Sequence, residues 1–170
     1  MIPPLTSGGL LPPGRHPATL EEIRDAFVEL APHSAHRARL FAALELYVSL
    51  VRDLVPRATL WVDGGFCTYK SAAPADIDLV LVVSEHALQR LGEEEWKRMH
   101  NLITLQGVSA QHPPWVAHRA QPMGGLIDAF LASADSPDEL AYWHEMWSSV
   151  KGPDGKIIED ARKGYLEVSL

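Results

Sequence analysis

Past residue 18, apolar positions first recur at helical spacing and then give way to short, nearly continuous apolar runs. Thr19-Leu-Glu-Glu22 has the spacing of a capping box, in which the Thr and Glu side chains each bond the other's backbone N–H. It predicts a helix from about 19 to Ala31, with Ile23, Phe27 and Leu30 as its apolar stripe and Pro32 as its stop. A second helix is predicted over 34–54, where Leu40, Leu44, Tyr47, Val48 and Val51 share a face that Leu54 and Val55 extend before Pro56. The next segments read as strands: 58–62, then 77–83, whose Ile-Asp-Leu-Val-Leu-Val-Val sequence suits an interior strand covered on both faces. Ser84 caps a predicted helix over 85–99 with Gly92 as an interruption. Strands are predicted at 102–110 and at 115–118 beyond Pro113–Pro114, and 123–132 reads as helical. Ser136-Pro-Asp-Glu139 starts a helix to about Val150, 152–155 is a turn, and 165–170 is a closing strand. The first 18 residues, rich in proline and glycine, predict an extended arm that Leu5, Leu10 and Leu11 anchor to the body. The expected architecture is α/β or α+β, a small mixed sheet flanked by helices, with arm 1–18 and one domain over 19–170. Strands 58–62, 76–83 and 102–110 are expected in one sheet, with helix 34–54 packed on it.

Composition narrows the class. A chain of 170 residues supports one substantial core, and 46% hydrophobic with 22% charged residues is ordinary for a globular domain. A net charge of -7 argues against an extended nucleic-acid interface but leaves a small nucleotide open. Cys67 is the single cysteine, so no intrachain disulfide forms. No basic segment leads into a long apolar run, so a cytoplasmic protein without membrane contact is expected.

One stretch carries chemistry, residues 60–83. A strand leads into Gly64–Gly65, a polar loop follows, and the next strand opens with Asp76-Ile-Asp78. Alternation puts both aspartates on one face, roughly 6–7 Å apart. Two carboxylates so placed repel each other unless a cation or a hydrogen-bond network compensates, and Mg²⁺ or Mn²⁺ suits oxygen ligands shared with substrate phosphates. Gly64 and Gly65 let a phosphate approach backbone N–H groups, and Lys70 and Thr68 add contacts. Asp76 and Asp78 are therefore the candidate catalytic and metal-binding residues, and Gly64, Gly65, Thr68 and Lys70 the candidate nucleotide-binding residues. A turn-and-cap role for both motifs is the structural alternative.

With Gly64 followed 12 residues later by Asp76 and 14 later by Asp78, the stretch resembles the antitoxin-type minimal members of the DNA polymerase β-like nucleotidyltransferase superfamily. That resemblance implies aspartates holding catalytic metals, a glycine turn holding the phosphates of a nucleoside triphosphate, and transfer to a hydroxyl. Over nearly the whole chain, LPPGRHPATLEEIRDAF (11–27), the segment from Trp61 through Asp78, and KGYLEVSL (163–170) resemble an uncharacterised bacterial and phage family regarded as nucleotidyltransferase-like. Two departures stand out. Gly65 replaces the usual motif serine, and neither 102–112 nor 115–118 offers the third carboxylate that active superfamily members take from a later strand. Asp63, Asp128 and Glu145 lie off that pattern, and Gln111 or His112 are neutral substitutes. The alternative reading is a catalytically degenerate binding protein of the same fold, antitoxin-like or phage-encoded.

Among the remaining residues, His33 and His36 read as surface groups, and His16, His100, His112 and His118 make no zinc site. Arg15 and His16 either reach a nucleotide or tie down the arm. Trp143 and Trp147, with Tyr142 and Met146 beside them, form an aromatic helical surface that packs on the core or meets a protein partner or second copy.

Overall fold

The computed structural model describes residues 1–111, 114–152 and 154–170, without the side chains of 110, 111, 114 and 115. The stand-ins Gln111 (its side chain) and His112 therefore lie outside the described residues, as do Pro113 and Pro153. The chain is mixed α/β. In order, the elements are β1 (Gly14–Pro17), α1 (Leu20–Arg24), a π turn (Asp25–Glu29), α2 (Ser34–Leu54), β2 (Thr59–Asp63), a 3₁₀ turn (Gly65–Cys67) and β3 (Ile77–Val83). Then come α3 (Glu85–Gln89), α4 (Glu93–His100), β4 (Leu105–Gln111), β5 (Pro114–Ala120), α5 (Pro122–Gly125), β6 (Ile127–Ser133), α6 (Pro137–Ser148), β7 (Ser149–Lys151), β8 (Ile157–Arg162) and β9 (Gly164–Ser169).

Five strands make the main sheet in the order β1-β9-β2-β3-β6. The outer pairs, β1/β9 and β3/β6, are parallel; β9/β2 and β2/β3 are antiparallel. Central β3 explains its own sequence. Ile77, Leu79, Leu81 and Val83 join the core beneath α2, while Val80 and Val82 join a second cluster with Trp61, Tyr165 and Trp147 of α6. α2 buries Leu40, Leu44, Tyr47, Val48 and Val51, and adds Arg37 to the same face. No helix among the described residues is long and apolar enough to cross a membrane.

Three expectations need correction. The first helix does not run through to Ala31. The capping box forms, with Glu22 N donating to Thr19 Oγ1 at 3.2 Å and Thr19 N to Glu22 Oε2 at 3.0 Å. Leu30 N then reaches back to Asp25 O, the wider π spacing, which rotates the face so that Val28 is buried and Leu30 is 76% exposed. Segment 102–110 gives β4, but outside the main sheet: it pairs only with β5, and β6 takes the place beside β3. Residues 123–132 are mostly strand. Positive φ at Met123 and Gly124 ends the short α5, and from Ile127 the chain alternates between the two cores. The arm is extended and anchored as expected, with Leu11 buried, Leu5 against the core and Leu10 bridging to Thr68, and within it Gly14–Pro17 supplies the edge strand β1.

Candidate functional site

Register builds the site. Asp63, the last residue of β2, stands opposite Asp78 of β3, and Asp78 is in register with Asp128 of β6. Register partners share a face, so three aspartates form a row across the sheet on its α6 side. Asp128, which the sequence places off the superfamily pattern, thus occupies a later strand beside β3. Its sequence signal was the alternation Ile127-Asp-Ala-Phe-Leu, obscured by Gly124–Gly125 and the helical reading. Glu145 takes no part in the row; it pairs with Arg162 at 2.8 Å.

Gly64 follows Asp63 with φ +79°, and a Cβ there would fall 1.7 Å from Asp78 Oδ2. The backbone therefore passes directly against the Asp78 carboxylate. The 3₁₀ turn comes next, closed by Thr68 Oγ1 donating to Gly65 O at 2.9 Å. Arg37 fixes this loop from beneath. Its buried guanidinium donates to Phe66 O and Thr68 O at 2.6 Å each, to Phe27 O at 3.2 Å and to Pro32 O at 2.8 Å. Burial holds Arg37 below its usual pKa. His33 and His36 steady the far side of the loop through Ser71 O and Pro74 O, both at 2.7 Å. Arg37 was missed as a positioning residue because a basic residue in a helix gives no signal unless its tertiary partners are known.

The acids differ in their partners. Lys163 bonds both oxygens of Asp63 and donates to Trp147 O at 2.9 Å, tying the end of α6 to the row. Burial pushes Asp63 up, with Lys163 opposing. Asp128 accepts from Thr104 Oγ1 at 2.7 Å and from Arg119 at the end of β5. Asp76 accepts from Gln121 Nε2 at 2.8 Å. Asp78 has no hydrogen-bond or ion-pair partner among the described residues. Burial and the nearby Asp76 and Asp63 push it up to about 6, against the pull of Lys163 and Lys151.

The row floors a cleft of about 590 Å³. Gly64, Gly65, Thr68, Lys70 and Asp78 line it, whereas Asp76, expected to share the cleft with Asp78, lies before β3, does not line the cleft and bonds Gln121. Lys151, Lys163 and Arg119 add positive charge, and Phe130, Tyr142, Trp143, Met146 and Trp147 form an apolar wall. The aromatic surface of α6 is thus largely turned onto the sheet and into the cleft, with Trp147 buried and Tyr142 58% exposed. Arg15 and His16 do not line it. Arg15 pairs with Glu167 at 3.2 Å over the Trp61 ring, and His16 Nε2 bonds Pro12 O at 2.8 Å.

No three His, Cys, Asp or Glu side chains among the described residues converge as a ready metal cage. Mg²⁺ does not require one, since it commonly takes one or two carboxylates and completes its shell with water and substrate phosphates. Asp78, unpaired, half-buried and beside Asp76, fits that demand. No curated protein and no solved structure matches this chain. Residues 3–169 match the family described as "Family of unknown function (DUF6932)", and the chain belongs to that family.

Proposed function

We propose that the cleft binds a nucleoside triphosphate with Mg²⁺ or Mn²⁺ and transfers its nucleoside monophosphate to a hydroxyl of a protein or small molecule. The observation that supports this reading is the row of Asp63, Asp78 and Asp128 on the cleft floor, with Asp78 pressed against the Gly64 turn and without a hydrogen-bond or ion-pair partner among the described residues. Asp78 and Asp76 are the groups for the cation, which when bound offsets charge on the reacting phosphate. The N–H groups of the Gly64–Gly65 turn and the Lys70 ammonium hold phosphate oxygens. Asp128 completes the row as a third carboxylate and accepts the proton of the attacking hydroxyl once Arg119 swings away. The acceptor oxygen bonds to the α-phosphorus as the bond to the bridging oxygen breaks, and pyrophosphate leaves. A cytoplasmic location goes with this reading.

The test supplies labelled nucleoside triphosphates with Mn²⁺ and follows label into protein, RNA and the chain itself, alongside calorimetric titration of nucleotide. Transfer by the wild type that Asp78→Asn abolishes, with the variant still folded, supports the proposal. Transfer unchanged in Asp78→Asn rejects it. A second reading, a degenerate nucleotidyltransferase fold that binds a ligand without chemistry, is favoured by one observation: Lys163 and Arg119 already neutralise two of the three acids. Nucleotide binding without transfer to any acceptor is its expected signature.

A further inference from the structure

The cleft has two chemically distinct ends on one sheet face. Asp128 and Phe130 are two apart on β6, so acid and ring project to the same side about 6–7 Å apart. The Phe130 ring lies 4.8 Å from Trp143, whose other neighbours are Tyr142 at 5.2 Å and Trp147 at 5.0 Å. Trp147 is buried and serves the core, whereas Trp143 and Phe130 are half-buried and Tyr142 is exposed. Half-covered rings at a cleft wall have a face left for a planar ligand. The stretch beside Asp78 and the Gly64 turn adds Lys70 to the same lining. A ligand matching both has an anionic, metal-binding head and a flat aromatic tail.

Resting on the nucleotide reading above, we propose that Phe130, Tyr142 and Trp143 form the nucleobase subsite, with the base stacked on Trp143 and the triphosphate turned toward Asp78 and Gly64. Stacking on rings uses a π-face that every base has, so the subsite discriminates weakly among bases and favours purines for their larger area. Its contribution is absent for a ligand that has the phosphates and no base. That difference separates this subsite from the phosphate end.

The test titrates the full chain in Mg²⁺ with ATP, UTP and inorganic tripolyphosphate, for wild type, Trp143→Leu, Trp143→Phe and Tyr142→Ala. Thermal melts run in parallel, and exposed Tyr142 gives a variant with little risk to folding. The wild type is expected to bind ATP more tightly than UTP, and both more tightly than tripolyphosphate. Trp143→Leu loses on the order of tenfold in ATP affinity and nothing in tripolyphosphate affinity, Tyr142→Ala loses less, and Trp143→Phe retains most of it. Equal wild-type affinity for ATP and tripolyphosphate overturns the subsite alone and leaves a phosphate-binding cleft. So does ATP affinity unchanged in both Trp143→Leu and Tyr142→Ala, or a loss in Trp143→Leu equal for the two ligands. A wild type that binds none of the three overturns the nucleotide reading, and the subsite falls with it.

Discussion

At Gly64, a φ of +79° and the 1.7 Å approach that any Cβ would make to Asp78 Oδ2 act together, so even alanine must displace the carboxylate or the turn. Gly64→Ala is expected to cost about 2 kcal/mol or more in urea unfolding. Gly65 is different: its nearest neighbour would be Pro74 Cβ at 3.5 Å, and its φ is not positive. Gly65→Ser, which introduces a hydroxyl there, should therefore stay within about 0.5 kcal/mol of wild type. Equal costs at the two positions would contradict this account of the turn. Asp78 gives a prediction with a sign. Its folded pKa of about 6 lies above the ordinary 3.8, so the folded chain holds the proton more tightly than the unfolded chain. The associated stability is present below about pH 4 and is lost as pH rises through about 6. The displacement converts to at most about 3 kcal/mol, which partial solvent access reduces. Asp78→Asn should be the more stable protein at pH 7, by about 2 kcal/mol, with the gap closing toward pH 4. A variant destabilised at pH 7, or a gap that ignores pH, would mean that Asp78 is compensated in the folded chain.

Elements were legible where one periodicity dominated and no neighbour competed for the segment. The long stripe of α2 and the unbroken apolar run of β3 specify burial by themselves, and both appear within the predicted bounds. The site's glycine turn and Asp78 were legible for the same local reason. Leu30 was misplaced because a single π spacing rotates everything after it, and nothing in Asp25–Glu29 announces that spacing. Residues 127–133 satisfy helical and strand patterns at once, and only the open edge of β3 decides between them. Asp128 was hidden with that strand. The same competition leaves β4 and β5 as a hairpin apart from the sheet, and this hairpin governs the acids: Arg119 holds Asp128, and Gln121, just beyond β5, holds Asp76. Removing the Arg119 cation leaves buried Asp128 with Thr104 alone. Arg119→Ala should lose about 2 kcal/mol or more in urea unfolding. A loss under about 1 kcal/mol would show that Asp128 finds another partner once Arg119 is gone. Arg37 belongs to the same scale, since one side chain joins the π turn, α2 and the loop of the site. Arg37→Met keeps the bulk but orphans buried carbonyls, and a loss of about 3 kcal/mol is expected, read by urea melts. A loss under about 1 kcal/mol would show that those carbonyls find other donors.

Across the whole molecule, strand order brings the two ends of the chain together. β1 and β9 lie side by side at one edge, so the main sheet closes only when residue 14 meets residue 164. The approach is close enough that a Cβ on Gly164 would come within 2.1 Å of Pro12 O. Gly164 N donates to Leu11 O at 3.0 Å, Ala18 N donates to Glu167 O at 2.9 Å, and Leu11 itself is buried in the main core. Further back along the arm, Gly9 O accepts from Tyr69 N at 2.8 Å, between Thr68 and Lys70 of the cleft. The arm thus joins the sheet edge to the loop that carries Thr68 and Lys70, and stability and the geometry of the cleft depend on it together. Leu11→Ala should cost about 2–4 kcal/mol, the usual range for emptying a buried leucine site. Deleting residues 1–17 removes that burial, all of β1 and the hold on Tyr69, and exposes the β9 edge. The expected loss exceeds that of Leu11→Ala but stays below the whole stability of a domain this size, about 5–15 kcal/mol. Urea unfolding of both variants measures this, and limited proteolysis of the loop at 70–75 should show faster cleavage in the deletion before the rest of the chain is attacked. A synthetic arm spanning residues 1–18, added in excess, should restore protection by mass action, because it binds only the folded form. A deletion variant that melts with the full chain and keeps the same loop cleavage would show that the sheet and the cleft stand without β1.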